Sequence, residues 1–107
     1  SLLVSIVLSS AHAEQYDRRP VVIYVVQPSF PREMSKAGIS GDVVVQLTIA
    51  KDGTTKDVRI VRSSHKGFEE AAAQAVEKWK FHPATQQGKP VEVIIRQLIE
   101  FNLEESK

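Results

Sequence analysis

The sequence predicts an α+β domain: a three-stranded antiparallel sheet with a main helix packed on one face and a short N-terminal helix ahead of it. Three observations carry that expectation. Val43, Val45, Leu47 and Ile49 alternate with Val44, Gln46, Thr48 and Ala50, the period of two of a half-buried strand. Lys51-Asp52-Gly53-Thr54 follows at once as a turn, with Asp-Gly supplying the positive φ that a tight hairpin needs. Phe68, Ala71, Ala72, Ala75, Val76 and Trp79 then recur at spacings of three and four, the stripe of an amphipathic helix.

Taken in order, Glu14 to Arg19 is polar and reads as a flexible lead-in, and Pro20 to Val26 is apolar and β-rich, so residues 14–26 form an extended entry segment. Two prolines in Gln27-Pro28-Ser29-Phe30-Pro31 break that run. Pro31 can open a short helix to Ala37, with Glu33 in its first turn and Gly38 ending it. After the hairpin, a second strand runs through Val58, Ile60 and Arg62, with Arg59 on the opposite face. The main helix, Phe68 to Trp79, has an inner face made mostly of Ala, so it can lie close on the sheet until Pro83. Gln86 to Pro90 is a polar turn. In the last strand Val91, Val93, Ile95, Ile99, Phe101 and Leu103 share one face, with Gln97 the single polar interruption. The expected core is Val45, Leu47, Ile49, Ile60, Phe68, Ala72, Trp79 and Phe101.

A right-handed crossover through the helix gives the spatial strand order 2-1-3. The long last strand then lies at an edge, with a row of unpaired N–H and C=O groups. Such an edge is a liability unless something docks there.

Composition narrows the function classes. The 107 residues carry 14 Lys+Arg against 13 Asp+Glu, a net charge of +1, and no cysteine. This length suits one domain. The balance gives no electrostatic footprint for nucleic acid, and the missing thiols exclude disulfide scaffolds, thiolate zinc sites and Cys nucleophiles. Residues 1–13 are an apolar run ending in Ala11-His12-Ala13, which fits a signal-peptidase site and reads as a truncated signal peptide or export segment. The competing expectation is an uncleaved anchor, although a spanning helix needs about 20 apolar residues.

No catalytic constellation is expected. His12, His65 and His82 lack metal-ligand spacing, so neither a metal nor a cofactor is called for. Ser63-Ser64-His65 reads as a helix-entry turn with Ser64 near the N-cap, because adjacent residues rarely align as nucleophile and base. Glu69, Glu70 and Glu77 fall on the outer face of the helix. Arg59, Arg62 and Arg96 make a small basic strip on the exposed sheet face, read as a solvated surface.

The chain resembles the TonB family, in its periplasmic C-terminal domain, over about residues 27–104. The marks are Gln27-Pro28-Ser29-Phe30-Pro31, Gly38-Ile39-Ser40-Gly41-Asp42-Val43-Val44-Val45 and Asp52-Gly53. They continue with Val58-Arg59-Ile60-Val61-Arg62-Ser63-Ser64, Phe68-Glu69-Glu70-Ala71-Ala72 and Trp79-Lys80-Phe81-His82-Pro83-Ala84. Gly88-Lys89-Pro90-Val91 and Ile99-Glu100-Phe101-Asn102-Leu103 complete the series, in family order and spacing.

The resemblance implies an energy-transducing module that draws on the proton-motive force through an ExbB–ExbD type complex. It also implies engagement of outer-membrane receptors that import siderophores, haem or vitamin B12. In that family a receptor segment, the TonB box, adds as a strand beside the last β-strand. Carried over residue by residue, the partner-binding positions are Gln27, Phe30, Pro31, Val91, Val93, Ile95 and Gln97, with Val91, Val93 and Ile95 contacted chiefly through backbone. Phe30 stands where the family usually has Tyr and so lacks a hydroxyl. The residues given include neither a membrane helix nor a Pro-rich spacer. The alternative expectation is therefore an untethered periplasmic accessory, or an envelope scaffold that self-associates as a homodimer.

Overall fold

The computed structural model describes the backbone of residues 2–8 and the full residues 16–103. His12, the expected cleavage point at Ala13 and the start of the lead-in lie outside the described residues. The elements are β1 (Leu2–Leu8), β2 (Val21–Tyr24), α1 (Arg32–Lys36), β3 (Gly41–Ile49) and β4 (Thr55–Ser63). A 3-10 turn (Lys66–Phe68) then leads into α2 (Glu69–Val76), β5 (Lys80–His82), β6 (Ala84–Gln86), β7 (Lys89–Val91) and β8 (Val93–Phe101).

The main sheet has four strands rather than three, in the order β1-β8-β3-β4, all antiparallel. Two short ribbons, β2–β5 and β6–β7, flank it. Val43, Val45, Leu47 and Ile49 of β3 are all fully buried, as the alternation requires, and so are Phe68, Ala72, Trp79 and Phe101. α2 lies over β3 and β4, and Ile60 packs against the core half-buried. Small Ala72 and Ala75 on the inner helix face allow that approach.

Four expectations are corrected. The main helix stops at Val76, not Trp79. Its last turn tightens, with the Lys78 and Trp79 N–H groups donating to the carbonyls of Ala75 and Val76 three residues back. Trp79 leaves the helix because it is held elsewhere. Its indole Nε1–H donates to the Val26 carbonyl at 2.9 Å and its carbonyl accepts from Thr55 Oγ1 at 3.0 Å. The chain then enters β5 beside β2.

Second, the last strand is not continuous from Val91. Val91 pairs with Ala84 in the β6–β7 ribbon, whereas Val93 pairs with Ile49 in the main sheet, and the chain changes sheets at Glu92. Third, Arg62 does not share a face with Ile60. The register passes from Arg62 opposite Val44 to Ile60 opposite Val45, and the extra residue, Val61, is a bulge that reverses the side-chain sense. Fourth, the lead-in is tied down from Tyr16. Arg18 bridges Thr85, and Asp17 Oδ2 accepts the Gly88 N–H at 2.6 Å.

Two turns rest on glycine. Gly53 has φ +88°, and a Cβ there would collide with the Phe81 carbonyl oxygen. Gly88 follows Gln87 in a two-residue hairpin loop, both with positive φ (54° and 76°), the combination that matches strand twist.

Candidate functional site

The site expected from the sequence is the β8 edge, and its chemistry is set by alternation. Val93, Ile95, Gln97, Ile99 and Phe101 point into the core and are buried, while Ile94 and Arg96 are exposed on the outer face. A chain approaching in the plane of the sheet therefore meets backbone N–H and C=O groups first. One edge of β8 is taken by β3 through nine consecutive pairs, from Gly41 opposite Phe101 to Ile49 opposite Val93.

The other edge is not bare, which corrects the expectation of an open last strand. β1 lies along it antiparallel, in unbroken register from Leu2 opposite Phe101 to Leu8 opposite Ile95. Val93 lies past the end of that register, and Val91 lies off the strand altogether. Gln97 sits in the middle of the seam, fully buried, with its Nε2–H donating to the Leu98 carbonyl at 3.0 Å.

Phe30 is brought to one end of β8. Its ring meets Phe68 edge-on at 5.6 Å and Phe101 edge-on at 5.8 Å, and Phe68 stacks on Phe101 at 4.5 Å. Pro31 caps α1, its carbonyl accepting the Ser35 N–H at 3.0 Å. Gln27 is placed elsewhere. It lines a shallow groove between the Val26–Ser29 segment and α2, opposite Ala71, Gln74 and Lys78. The seven expected partner-binding positions thus divide three ways. Val93, Ile95 and Gln97 lie on β8, Phe30 and Pro31 at its Phe101 end, and Gln27 and Val91 outside the strand.

Ser64 and His65 do come together, with Ser64 Oγ 2.9 Å from His65 Nδ1. Ser64 stands next to His65, the N-cap of the 3-10 turn, and neither that cap nor Phe68, the N-cap of α2, makes a side-chain capping bond. Ser64 instead fastens the β3–β4 corner: its N–H donates to the Asp42 carbonyl and its Oγ accepts the Asp42 N–H, each at 2.9 Å. Ser63 Oγ–H donates to Glu69 Oε2 at 2.5 Å and ties β4 to the first turn of α2. On the outer sheet face Arg62 and Arg96 flank Val44 and Val61. Across that face Lys56 Nζ lies 2.6 Å from Glu92 Oε2, and the carboxylate raises the lysine above its ordinary value.

The feature that sequence reasoning missed is β1 as a partner of β8. The signal was present: six of the seven residues in Leu2–Leu8 are Leu, Val or Ile, at strand length. The same run fits the apolar region of an export signal, and nothing in the periodicity separates the two.

Comparison with known proteins agrees with this geometry. Residues 26–103 match the family model for the Gram-negative bacterial TonB protein C-terminal. Among curated relatives, the chain is 33% identical to Protein TonB of Vibrio cholerae over 82% of its own length and 36% of the relative's. It is 32% identical to Protein TonB of Pseudomonas aeruginosa over 75% and 24%. The chain therefore spans about a third or less of these relatives. The solution NMR structure of the Pseudomonas aeruginosa TonB C-terminal domain superposes with a TM-score of 0.65 at 30% identity, covering 85% of this chain and 93% of that one. The TonB2 protein of Vibrio anguillarum gives 0.59 at 28% identity, covering 83% and 86%. The motifs, the sheet that carries β8 and these matches lead to one conclusion: the chain belongs to the family of TonB C-terminal domains.

Proposed function

We propose that this domain works in the periplasm as the receptor-engaging end of a TonB-type energy transducer. It binds a short extended segment of outer-membrane TonB-dependent receptors by strand addition to β8. The force comes from the proton-motive force through an ExbB–ExbD type inner-membrane complex, and the cargo class is siderophores, haem or vitamin B12. One observation carries the strand-addition mechanism: the outer edge of β8 takes an added antiparallel strand over seven residues, Ile95 to Phe101.

β8 side chains alternate between core and outer face, so an incoming strand is held by main-chain hydrogen bonds, and side-chain selection comes from what flanks the ladder. Ile94, Arg96 and Leu98 flank it on the outer face, and the Phe30–Phe68–Phe101 cluster backs its far end. Gln27 and the α2 groove offer a second contact beyond the strand. No residue here need do covalent chemistry.

The test is an NMR titration of the isotope-labelled chain with a receptor-derived TonB-box peptide. Shifts concentrated on Val93 to Phe101 are expected, with a smaller set at Gln27. A spectrum unmoved along β8 at millimolar peptide would sink the reading.

A further inference from the structure

We propose that Leu2–Leu8, in the chain that keeps it rather than losing it by cleavage at Ala13, is the resident strand of the β8 edge, holding the seam in cis, so that an incoming strand docks only by displacing it. The identity of that incomer rests on the receptor reading above; the occupied seam does not.

The geometry separates β1 from the rest of the fold in three ways. β8 keeps its place without β1, because its other edge carries nine pairs with β3 and its buried side chains belong to the core. β1 is the outermost strand of the sheet and has β8 as its one strand neighbour among the described residues. The chain is fastened again immediately before β2: Tyr16 packs on the core, the Asp17 carboxylate accepts the Gly88 N–H, the Asp17 N–H donates to the Thr85 carbonyl and the Thr85 N–H donates to the Arg18 carbonyl. Release of β1 therefore stops at that anchor and need not propagate into the domain.

The same arrangement makes β1 an effective competitor. Seven residues, 9 to 15, separate it from Tyr16, and a tether that short keeps a segment at an effective concentration on the order of millimolar. A peptide in solution must exceed that local concentration, so its apparent affinity falls by the fraction of time the edge is open. The occupant also describes the chemistry the seam accepts: an extended, predominantly apolar segment running antiparallel to β8 and ending opposite Ile95.

Two variants test the seam in opposite directions. In the first, Ser5→Pro with Ile6→Pro places proline at adjacent positions, so that whichever N–H faces β8 is removed. The second uses the absence of cysteine from the sequence. Ser5→Cys with Leu98→Cys joins residues that lie directly opposite across the seam, within disulfide reach. Two probes are titrated into each protein: a receptor-derived TonB-box peptide, and a lysine-flanked peptide of the Leu2–Leu8 sequence.

The proline variant should bind both probes at least about tenfold more tightly than the parent. Its outward β8 amides should exchange faster, while β3 and β4 amides keep their protection. The oxidised cysteine variant should bind neither probe, and reduction should restore binding. If both probes bind the parent, proline and oxidised forms equally, β1 does not occupy the edge and the proposal is overturned. If the Leu2–Leu8 peptide follows the expected pattern while the receptor peptide binds none of the proteins, the resident strand stands and the receptor reading falls. Equal receptor binding together with unchanged β8 exchange in the proline variant would leave the receptor reading standing and remove the resident strand.

Discussion

β8 has two neighbours, and they are held in different ways. β3 is joined through nine pairs, and its inward side chains, Val43, Val45, Leu47 and Ile49, interlock with those of β8 beneath α2. β1 is joined through seven pairs, and in the sequence seven residues separate it from Tyr16, where the chain is next anchored. A ladder alone returns little net free energy, because each hydrogen bond replaces one with water, about 0.5–1.5 kcal/mol apiece, while ordering a residue costs about 1–2 kcal/mol. The inner seam is thus stabilised by burial as well as by its ladder, whereas the ladder to β1, taken by itself, sits near balance. The difference shows where a strand can be exchanged without unfolding the protein.

The largest effect should come from breaking the burial that secures the inner seam. Phe68 is fully buried, stacked on Phe101 and met edge-on by Phe30. Phe68→Ala is expected to cost about 3–5 kcal/mol in urea unfolding, with both seams lost together. A loss below about 1 kcal/mol would mean that the aromatic cluster does not anchor the Phe101 end of β8.

Next in size is the hairpin that closes the inner seam. Gly53→Ala forces a side chain into positive φ and against the Phe81 carbonyl, at the turn whose own carbonyl accepts the Phe81 N–H at 2.9 Å. The expected cost is more than about 1 kcal/mol in unfolding free energy. Exchange should quicken at β5 amides before those of β8, and the reverse order would place the weak point elsewhere. By contrast, Ser5→Pro with Ile6→Pro should cost less than about 2 kcal/mol, since the ladder it removes was nearly offset by the entropy of ordering β1. A larger loss would show that β1 belongs to the core rather than to an exchangeable edge.

The same contrast explains what the sequence could disclose. The inner seam was legible because period-two alternation in residues 43–49 and 93–101 records burial on one face, and Asp52-Gly53 fixes the turn between strands. The outer seam was not, because a seven-residue run that is apolar at all but Ser5 serves equally as an export signal or as a strand. Trp79 misled for a related reason. It keeps helical spacing with Ala72 and Val76, yet its indole and carbonyl bonds to Val26 and Thr55 turn the chain out of the helix. The Val61 bulge left no sequence signal, since it is an irregularity of pairing between two strands. Phe30 at the end of β8 was reached through the family motif, whereas Gln27, from the same motif, stands at the α2 groove.

The smallest effect is electrostatic and belongs to the inner seam's turn. Asp52 Oδ1 accepts the Thr54 Oγ1–H at 2.7 Å and the Thr54 N–H at 3.0 Å, and these bonds hold its carboxyl below the ordinary value. A depressed carboxyl contributes stability that is present above its unfolded value, about 3.9, and that disappears as pH falls through the lower folded value. Asp52→Asn keeps an acceptor oxygen but cannot titrate, so the parent should be slightly the more stable at neutral pH. The two should converge on acidification below about pH 4. Lys56 works with the opposite sign: Glu92 raises its value, so its contribution holds at neutral pH and is lost only as pH climbs past about 10.4. Both groups are solvent-exposed, so added salt should weaken the Lys56–Glu92 attraction, while Asp52, held chiefly by its hydrogen bonds to Thr54, should respond little. The seam to β1 should show neither dependence. A β8–β1 exchange rate that followed the titration of Asp52 would mean that the two seams open together, and the independence on which the comparison rests would be gone.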